Sequence, residues 1–133
     1  MAKATVKYVQ GGTFIGVDST NHSVVLSTSA DDIGVKPSEM MLVALGACSS
    51  VDVVGILKKK KVKLTRYEVQ LSAEQDKDPP WAFRKIHMKY ILSGEGLEED
   101  DVAKTIDLSE GKYCSVAATI RGVAEITTEF VII

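Results

Sequence analysis

The sequence has little of several residue types, and each scarcity excludes a class of protein. Its 133 residues include two cysteines, three prolines and one tryptophan. Two cysteines are too few for the disulfide framework of a small secreted protein. A net charge of −2 leaves no uncompensated basic surface for nucleic acid or anionic lipid. We therefore expect neither nucleic acid nor a membrane as a partner.

The chain also lacks the marks of export. Its first residues contain no apolar signal segment, and the apolar stretches fall short of the roughly 20 residues that span a bilayer. We expect a cytoplasmic protein, and in that reducing compartment two cysteines are either buried packing residues or redox-active groups. The length, with 45% hydrophobic and 26% charged residues, suits a single globular domain over residues 1–133.

Periodicity predicts strands first and then a long helix. Alternating apolar and polar residues indicate three strands, from Ala4 to Val9, from Thr13 to Val17 and from Ser23 to Leu26. Pro37, which suits the first turn of a helix, then opens a proline-free segment that runs to Lys61. Apolar residues spread around most of its circumference, so we expect a helix that is buried on nearly all sides.

The second half of the chain predicts a sheet with helices. Arg66 to Gln75 and Phe83 to Leu92 alternate and should form an antiparallel pair with one face in solvent, the second strand ending at Gly94 and Gly96. Three further elements follow: a helix from Leu97 to Leu108, a short helix from Lys112 to Arg121 and a strand from Ala124 to Ile133. The predicted fold class is α+β, with antiparallel sheets around a long, central, buried helix.

A helix this apolar needs more cover than one small chain provides, because a mostly antiparallel sheet reaches only one or two of its sides. A second subunit is the simplest cover. We therefore expect an obligate homodimer in which small residues beside Cys48 let two helices approach near a two-fold axis. The alternative is a sheet that wraps the helix within one chain.

Cys48 and Cys114 are the candidate reactive groups. A cysteine reacts as its thiolate, which a cation, a hydrogen-bond donor or a helix N-terminus stabilises. Cys48 lies about eleven residues into the long helix, and Asp52 on the same face would raise its pKa. Cys114 lies near the start of a predicted short helix, a better local setting for a thiolate. The ordinary alternative for each is a small, buried, apolar side chain.

Two segments carry a resemblance to a known family. Pro37 to Lys61 reads PSEMMLVALGACSSVDVVGILKKKK, and Glu110 to Ile120 reads EGKYCSVAATI. The first resembles the central-helix signature of the OsmC/Ohr family, in which a Pro and a Glu lead to the reactive Cys. The second resembles the segment that bears the second cysteine of that family. The likeness covers almost the whole chain and is closest to an OsmC-like branch.

This resemblance implies an intertwined α+β homodimer that reduces organic hydroperoxides, with an external dithiol as reductant and without a metal or organic cofactor. In that scheme Cys48 becomes a sulfenic acid, and Cys114 condenses with it to form a disulfide. An apolar pocket at the subunit interface, lined by Met40, Met41 and Phe83, would hold the substrate. These three residues are equally well explained as ordinary core or interface residues.

The sequence departs from the family where the thiolate is held. In the hydroperoxide-resistance branch, an arginine from the N-terminal strands and a glutamate just after the helix proline hold it. Here the first arginine is Arg66, and Ser38 follows the proline. Glu39 comes next and is the candidate catalytic glutamate, but nine residues before Cys48 is about half a turn round the helix. It can serve only if the first turn is distorted or if it acts on the other subunit, and its ordinary role is a favourable charge in the first turn. Candidate replacement cations are Lys7, Arg84 and Arg121.

Three classes of function remain open on the sequence. They are a thiol peroxidase, a non-catalytic dimer that binds an apolar or thiol-reactive small molecule, and a structural dimer with inert cysteines. Solvent access of Cys48 separates the last class from the others, and turnover of an organic hydroperoxide separates the first two. A zinc site is not expected, because no short metal-ligand spacing links the two cysteines with His22 and His87.

Overall fold

A computed structural model describes all residues, 1–133. Contacts divide the chain into two compact units, Met1–Met41 and Leu42–Ile133, here called the N-terminal and C-terminal units. The α+β class is confirmed, and the single domain stays a prediction. The elements are β1 (Ala4–Gln10), β2 (Thr13–Asp18), β3 (Ser23–Ser27), α1 (Pro37–Lys59), β4 (Lys63–Gln75), β5 (Phe83–Glu95), α2 (Glu99–Leu108), a π-helical turn (Ser109–Tyr113), α3 (Ser115–Ile120) and β6 (Glu125–Ile132).

The N-terminal unit is an antiparallel sheet in the order β1-β2-β3. All three strands were predicted, each within about a residue of its observed end. The Asp31 carboxylate fixes the β1–β2 turn, because it accepts hydrogen bonds from the Gly12 backbone N–H at 2.7 Å and from the Thr13 hydroxyl at 3.0 Å. Every residue of β1 is exposed, including Val6 and Tyr8.

The C-terminal unit has a second sheet in the order β4-β5-β6. β4 and β5 are antiparallel, as predicted. β6 pairs with β5 in parallel, so the expectation of purely antiparallel sheets was wrong. The physical reason is the connection, since the chain passes through α2, the π-helical turn and α3 before it returns, and such a crossover permits parallel pairing.

The central strand β5 explains how this sheet forms a core. Alternate residues from Ile86 to Leu92 are buried, whereas His87 and Lys89 lie on the opposite, wetter face. A strand with one covered face buries every second side chain, because successive side chains point to opposite faces of the sheet.

The helix α1 covers one face of this core and leaves its own other face open. Leu45, Val53 and Leu57 are fully buried, but Val43 and Val51 are 51% and 75% exposed. The expected burial on nearly all sides is therefore not reached within one chain. By length and composition α1 could also cross a membrane, contrary to the expectation above, although core helices meet the same criterion.

The segment around Cys114 differs most from its prediction. Instead of one helix from Lys112 to Arg121, a π-helical turn ends at Tyr113, Cys114 is extended (φ −76°, ψ 106°), and α3 begins at Ser115. Cys114 itself causes the break, because its sulfur accepts the Ala117 backbone N–H at 3.4 Å in the manner of an N-cap.

Gly94 does not end its strand, which continues to Glu95 and pairs Gly94 with Leu64. A side chain at this position has no room. A Cβ atom on Gly94 would overlap the Lys63 carbonyl oxygen and lie 2.8 Å from the Leu64 Cα atom.

We therefore predict that Gly94→Ala lowers the free energy of unfolding by about 1–3 kcal/mol, because the added methyl group meets backbone atoms that cannot rotate away. Urea unfolding measures this change. The matched control is Gly122→Ala, whose Cβ meets nothing within 4 Å and should change stability by no more than about 0.5 kcal/mol. Equal stability of Gly94→Ala and the unmodified protein would contradict the packing described.

Candidate functional site

The structure brings the two cysteines together in the C-terminal unit. Cys48 lies in the middle of α1, and its sulfur is 3.9 Å from the Ser115 hydroxyl at the start of α3. Cys114 immediately precedes that serine. Both cysteines are free; Cys48 is partly exposed, whereas Cys114 is 2% exposed. One thiol is therefore open to solvent and the other is enclosed beside it.

The surroundings of Cys48 favour its thiolate. Burial raises the pKa of Cys48, but hydrogen bonds outweigh it, and the net pKa is lowered. The donors are the Val116 backbone N–H, the Cys114 thiol, and the hydroxyl and backbone N–H of Ser115. Donation to the charged form is one of the general ways in which a protein lowers a pKa. No cation is among these donors.

Cys114 has the opposite character. Burial raises the pKa of Cys114 to about 11, and the nearby charges of Cys48 and Glu110 act in the same direction. The hydrogen bond from the Ala117 N–H opposes this shift without cancelling it. The expectation that Cys114 has the better setting for a thiolate was therefore wrong, because burial outweighs its position at the start of a helix.

A buried polar network joins α1 to the π-helical turn that leads to Cys114. The Ser49 hydroxyl lies 2.6 Å from the Tyr90 hydroxyl and 3.1 Å from the Ser109 hydroxyl. The Ser109 hydroxyl also lies 3.0 Å from the Asp52 carboxylate, its acceptor. The sequence had suggested Asp52 as a neighbour that raises the pKa of Cys48. In the structure its carboxylate contacts the Ser109 hydroxyl. Since Ser49 follows Cys48 and Ser109 begins the turn, the network fixes the two cysteine-bearing segments against each other.

The candidate replacement cations have other partners. Arg84 forms a bidentate pair with Asp76, with Nε–Oδ1 and Nη2–Oδ2 distances of 3.0 and 2.9 Å. The Arg121 guanidinium donates to the Glu110 carbonyl oxygen. Lys7 lies on the exposed strand β1 of the N-terminal unit. In the C-terminal unit, backbone N–H groups, a hydroxyl and a thiol therefore stabilise the Cys48 thiolate, as a cation was expected to do.

Glu39 lies in the first turn of α1, where its carboxylate forms an ion pair with Lys36 at 3.0 Å. Both side chains are about half exposed. These contacts support its ordinary role, a negative charge near the start of a helix.

The remaining sequence candidates also have structural partners. Phe83 packs against the core of the C-terminal unit. The His87 ring nitrogens lie 2.6 Å from the Thr127 hydroxyl and 2.6 Å from the Glu129 carboxylate, and the His22 ring lies 2.8 Å from the Thr20 hydroxyl. No group of three or more His, Cys, Asp or Glu side chains is placed to hold a metal ion. Met40 and Met41, in the N-terminal unit, remain predicted pocket residues.

Sequence reasoning missed three residues at this site: Ser115, Ser109 and Glu110. Ser115 had a local signal, because it follows Cys114 directly in the KYCSVA segment. Ser109 had none, and Glu110 was visible only as the first residue of the EGKYCSVAATI segment, since the role of each depends on how the crossover folds back over the sheet.

The fold and the paired thiols place this chain in a known class. A model of the family described as OsmC-like protein matches residues 29–129. Protein YhfA of Escherichia coli strain K12 is 36% identical over 131 residues, which covers 98% of each chain. The chain therefore belongs to the OsmC-like protein family, and this membership suggests a redox or peroxide-related function.

Solved structures agree with this fold. A hypothetical protein from Aquifex aeolicus VF5 is 26% identical, with a TM-score of 0.89 over 100% of this chain and 96% of that one. The organic hydroperoxide resistance protein OhrB of Bacillus subtilis superposes with a TM-score of 0.64 over 98% of both chains. At 15% identity, the second similarity shows the shared fold alone.

We predict that Cys114→Ala and Ser115→Ala both raise the pKa of Cys48, the first more than the second, because each removes a donor to the thiolate. The pH dependence of Cys48 alkylation by iodoacetamide measures this. At neutral pH both variants should react more slowly than the unmodified protein. The control Ser72→Ala, exposed on β4, should leave the profile unchanged, and an unshifted profile in both variants would refute the assigned donors.

Proposed function

We propose that this protein is a thiol peroxidase that reduces organic hydroperoxides, with Cys48 as the attacking thiolate and Cys114 as the resolving thiol. The observation that carries the proposal is the inequality of the pair, in which Cys48 is partly exposed with a lowered pKa and Cys114 is buried with a raised one. A thiolate reacts with peroxides and a thiol does not. This inequality assigns the first step to Cys48.

The proposed cycle has three steps. The Cys48 thiolate attacks one peroxide oxygen, the O–O bond breaks, and the alcohol leaves once its oxygen gains a proton. Cys48 is then a sulfenic acid, and the Cys114 sulfur attacks it, so that an S–S bond forms and water is released. An external dithiol reduces the disulfide through a mixed disulfide. A cytoplasmic location, where dithiol reductants are maintained, suits this cycle.

We also propose that the protein acts as a homodimer. Val43, Ala47 and Val51 recur at helical spacing along the exposed face of α1, and Gly55 continues the row with open space in front of it. An exposed apolar stripe of this kind commonly marks a protein interface. The exposed apolar residues of β1 give the N-terminal unit a second such surface. Another copy of the chain would bury both, as an intertwined dimer requires.

A mass measurement after one addition of hydroperoxide tests the cycle. With a slight excess of cumene hydroperoxide, we expect the reduced protein to lose two hydrogens as a Cys48–Cys114 disulfide forms, because the two thiols adjoin. In Cys114→Ser we expect a sulfenic or more oxidised Cys48 instead, and in Cys48→Ser no rapid oxidation. Thiols that stay reduced in a folded protein would reject the peroxidase and favour a binding or structural role.

A charged substitution in the exposed apolar stripe of α1 tests the dimer. Val51→Glu should convert the dimer to a folded monomer of about 14.4 kDa, because a carboxylate cannot be buried there without a partner, whereas the exposed position tolerates it in the single chain. Light scattering coupled to size exclusion gives the mass. The control Lys104→Glu, on the exposed side of α2, should remain dimeric. A monomeric unmodified protein would contradict this proposal.

A further inference from the structure

One buried polar side-chain atom in the structure lacks a hydrogen-bond partner, and it lies in the turn that leads to Cys114. This atom is Oε1 of Glu110, in the π-helical turn. An unpaired buried carboxyl oxygen is costly and is rarely left without a role. The thiol cycle described above gives Glu110 no part.

The geometry points to Cys114. Glu110 lies in the π-helical turn and Cys114 directly follows the end of that turn, so one short segment carries both the carboxyl group and the thiol. The turn is held at both ends, because the Cys114 backbone N–H donates to the Ser109 carbonyl at 2.8 Å and the Arg121 guanidinium donates to the Glu110 carbonyl. The Glu110 carboxylate is also close enough for its charge to raise the pKa of Cys114.

When Cys114 attacks the Cys48 sulfenic acid, the Cys114 thiol must lose its proton to an acceptor. In the reduced protein the Cys114 thiol donates to the Cys48 thiolate. Once Cys48 has lost its negative charge, that strong acceptor is gone. Since burial raises the pKa of Cys114, little of this residue carries its thiolate at pH 7.

We propose that the Glu110 carboxylate accepts the proton of Cys114 as the Cys48–Cys114 disulfide forms. This inference rests on the proposed thiol cycle and adds a residue to its second step. The Glu110 carboxylate takes the proton from the Cys114 S–H bond, and the resulting thiolate attacks the Cys48 sulfur. The S–S bond forms, the S–O bond breaks, and the leaving hydroxide takes the proton from Glu110 to become water. Cys114 sulfur is oxidised and Cys48 sulfur is reduced, so electrons balance.

The charges around Glu110 suit a base. Burial raises the pKa of Glu110, and the Arg121 charge opposes this shift. A carboxyl group whose pKa moves toward neutrality is a stronger base while still charged at pH 7. Tyr90 of β5 also faces this region but keeps its proton, since burial raises its pKa further above neutrality. Asp52 of α1 is held by the Ser109 hydroxyl.

The step can be isolated without any peroxide. The aromatic disulfide dithiobis(nitrobenzoate) should react with Cys48 and release one coloured thiolate; Cys114 then releases a second as the protein disulfide forms. In Glu110→Gln, we expect the second release at pH 7 to be at least tenfold slower, within the range of general base effects, and the first to be unchanged. Glu125→Gln, exposed on β6, is the matched control and should behave like the unmodified protein.

A second release that is unchanged or faster in Glu110→Gln would overturn the inference, because loss of the negative charge alone should favour the Cys114 thiolate. A Cys114 that never releases the second thiolate in the unmodified protein would overturn it too. If the second release is slower in Glu110→Gln while cumene hydroperoxide leaves the unmodified protein reduced, the role of Glu110 in disulfide formation stands and the peroxidase is rejected.

The pH profile of the unmodified protein gives an independent test in case Glu110→Gln does not fold. With a carboxylate base, the rate of the second release should rise with pH as Glu110 loses its proton and then level off before Cys114 itself ionises. A rate that climbs steadily with hydroxide concentration, with no plateau before Cys114 ionises, would overturn the inference.

Discussion

The closeness of the Cys114 thiol to the Cys48 sulfur, near enough for each to shift the pKa of the other, constrains the rest of the site. Two adjacent sulfurs do not both ionise readily, because like charges oppose each other. The proton therefore stays with the thiol that is harder to charge. Burial makes that thiol Cys114, whereas the N–H groups of Ser115 and Val116 stabilise the charge on Cys48. The division of roles follows from packing, since both residues are chemically the same.

The fold maintains this inequality by holding two distant segments in register. α1 buries Leu45, Val53 and Leu57 in the core beside β5, which fixes Cys48. The crossover from β5 to β6 carries Cys114, and the hydroxyls of Ser49 and Ser109 tie it to α1. Parallel pairing of β6 with β5 anchors the far end of this crossover. The break at Cys114 then turns the first N–H groups of α3 toward Cys48.

Side-chain periodicity predicted most of the elements, because α1 and the strands follow local patterns that one covered face imposes. The parallel direction of β6 was missed, since no local pattern encodes the direction of pairing. The resemblance to the OsmC/Ohr family, and not the composition, identified Cys48 and Cys114 as the reactive cysteines. The local sequence indicated the better setting for a thiolate at Cys114 because its place near the start of a helix is visible in the sequence, whereas its burial arises only when the chain packs.

The two thiols ionise at different pH values, Cys48 first. An NMR titration of protein labelled with ¹³C at the cysteine β carbons observes each ionisation directly. We expect Cys48 to titrate below the ordinary cysteine pKa, and Cys114 to titrate only near its pKa of about 11. Titration of both thiols at the same pH, or of Cys114 before Cys48, would contradict the account.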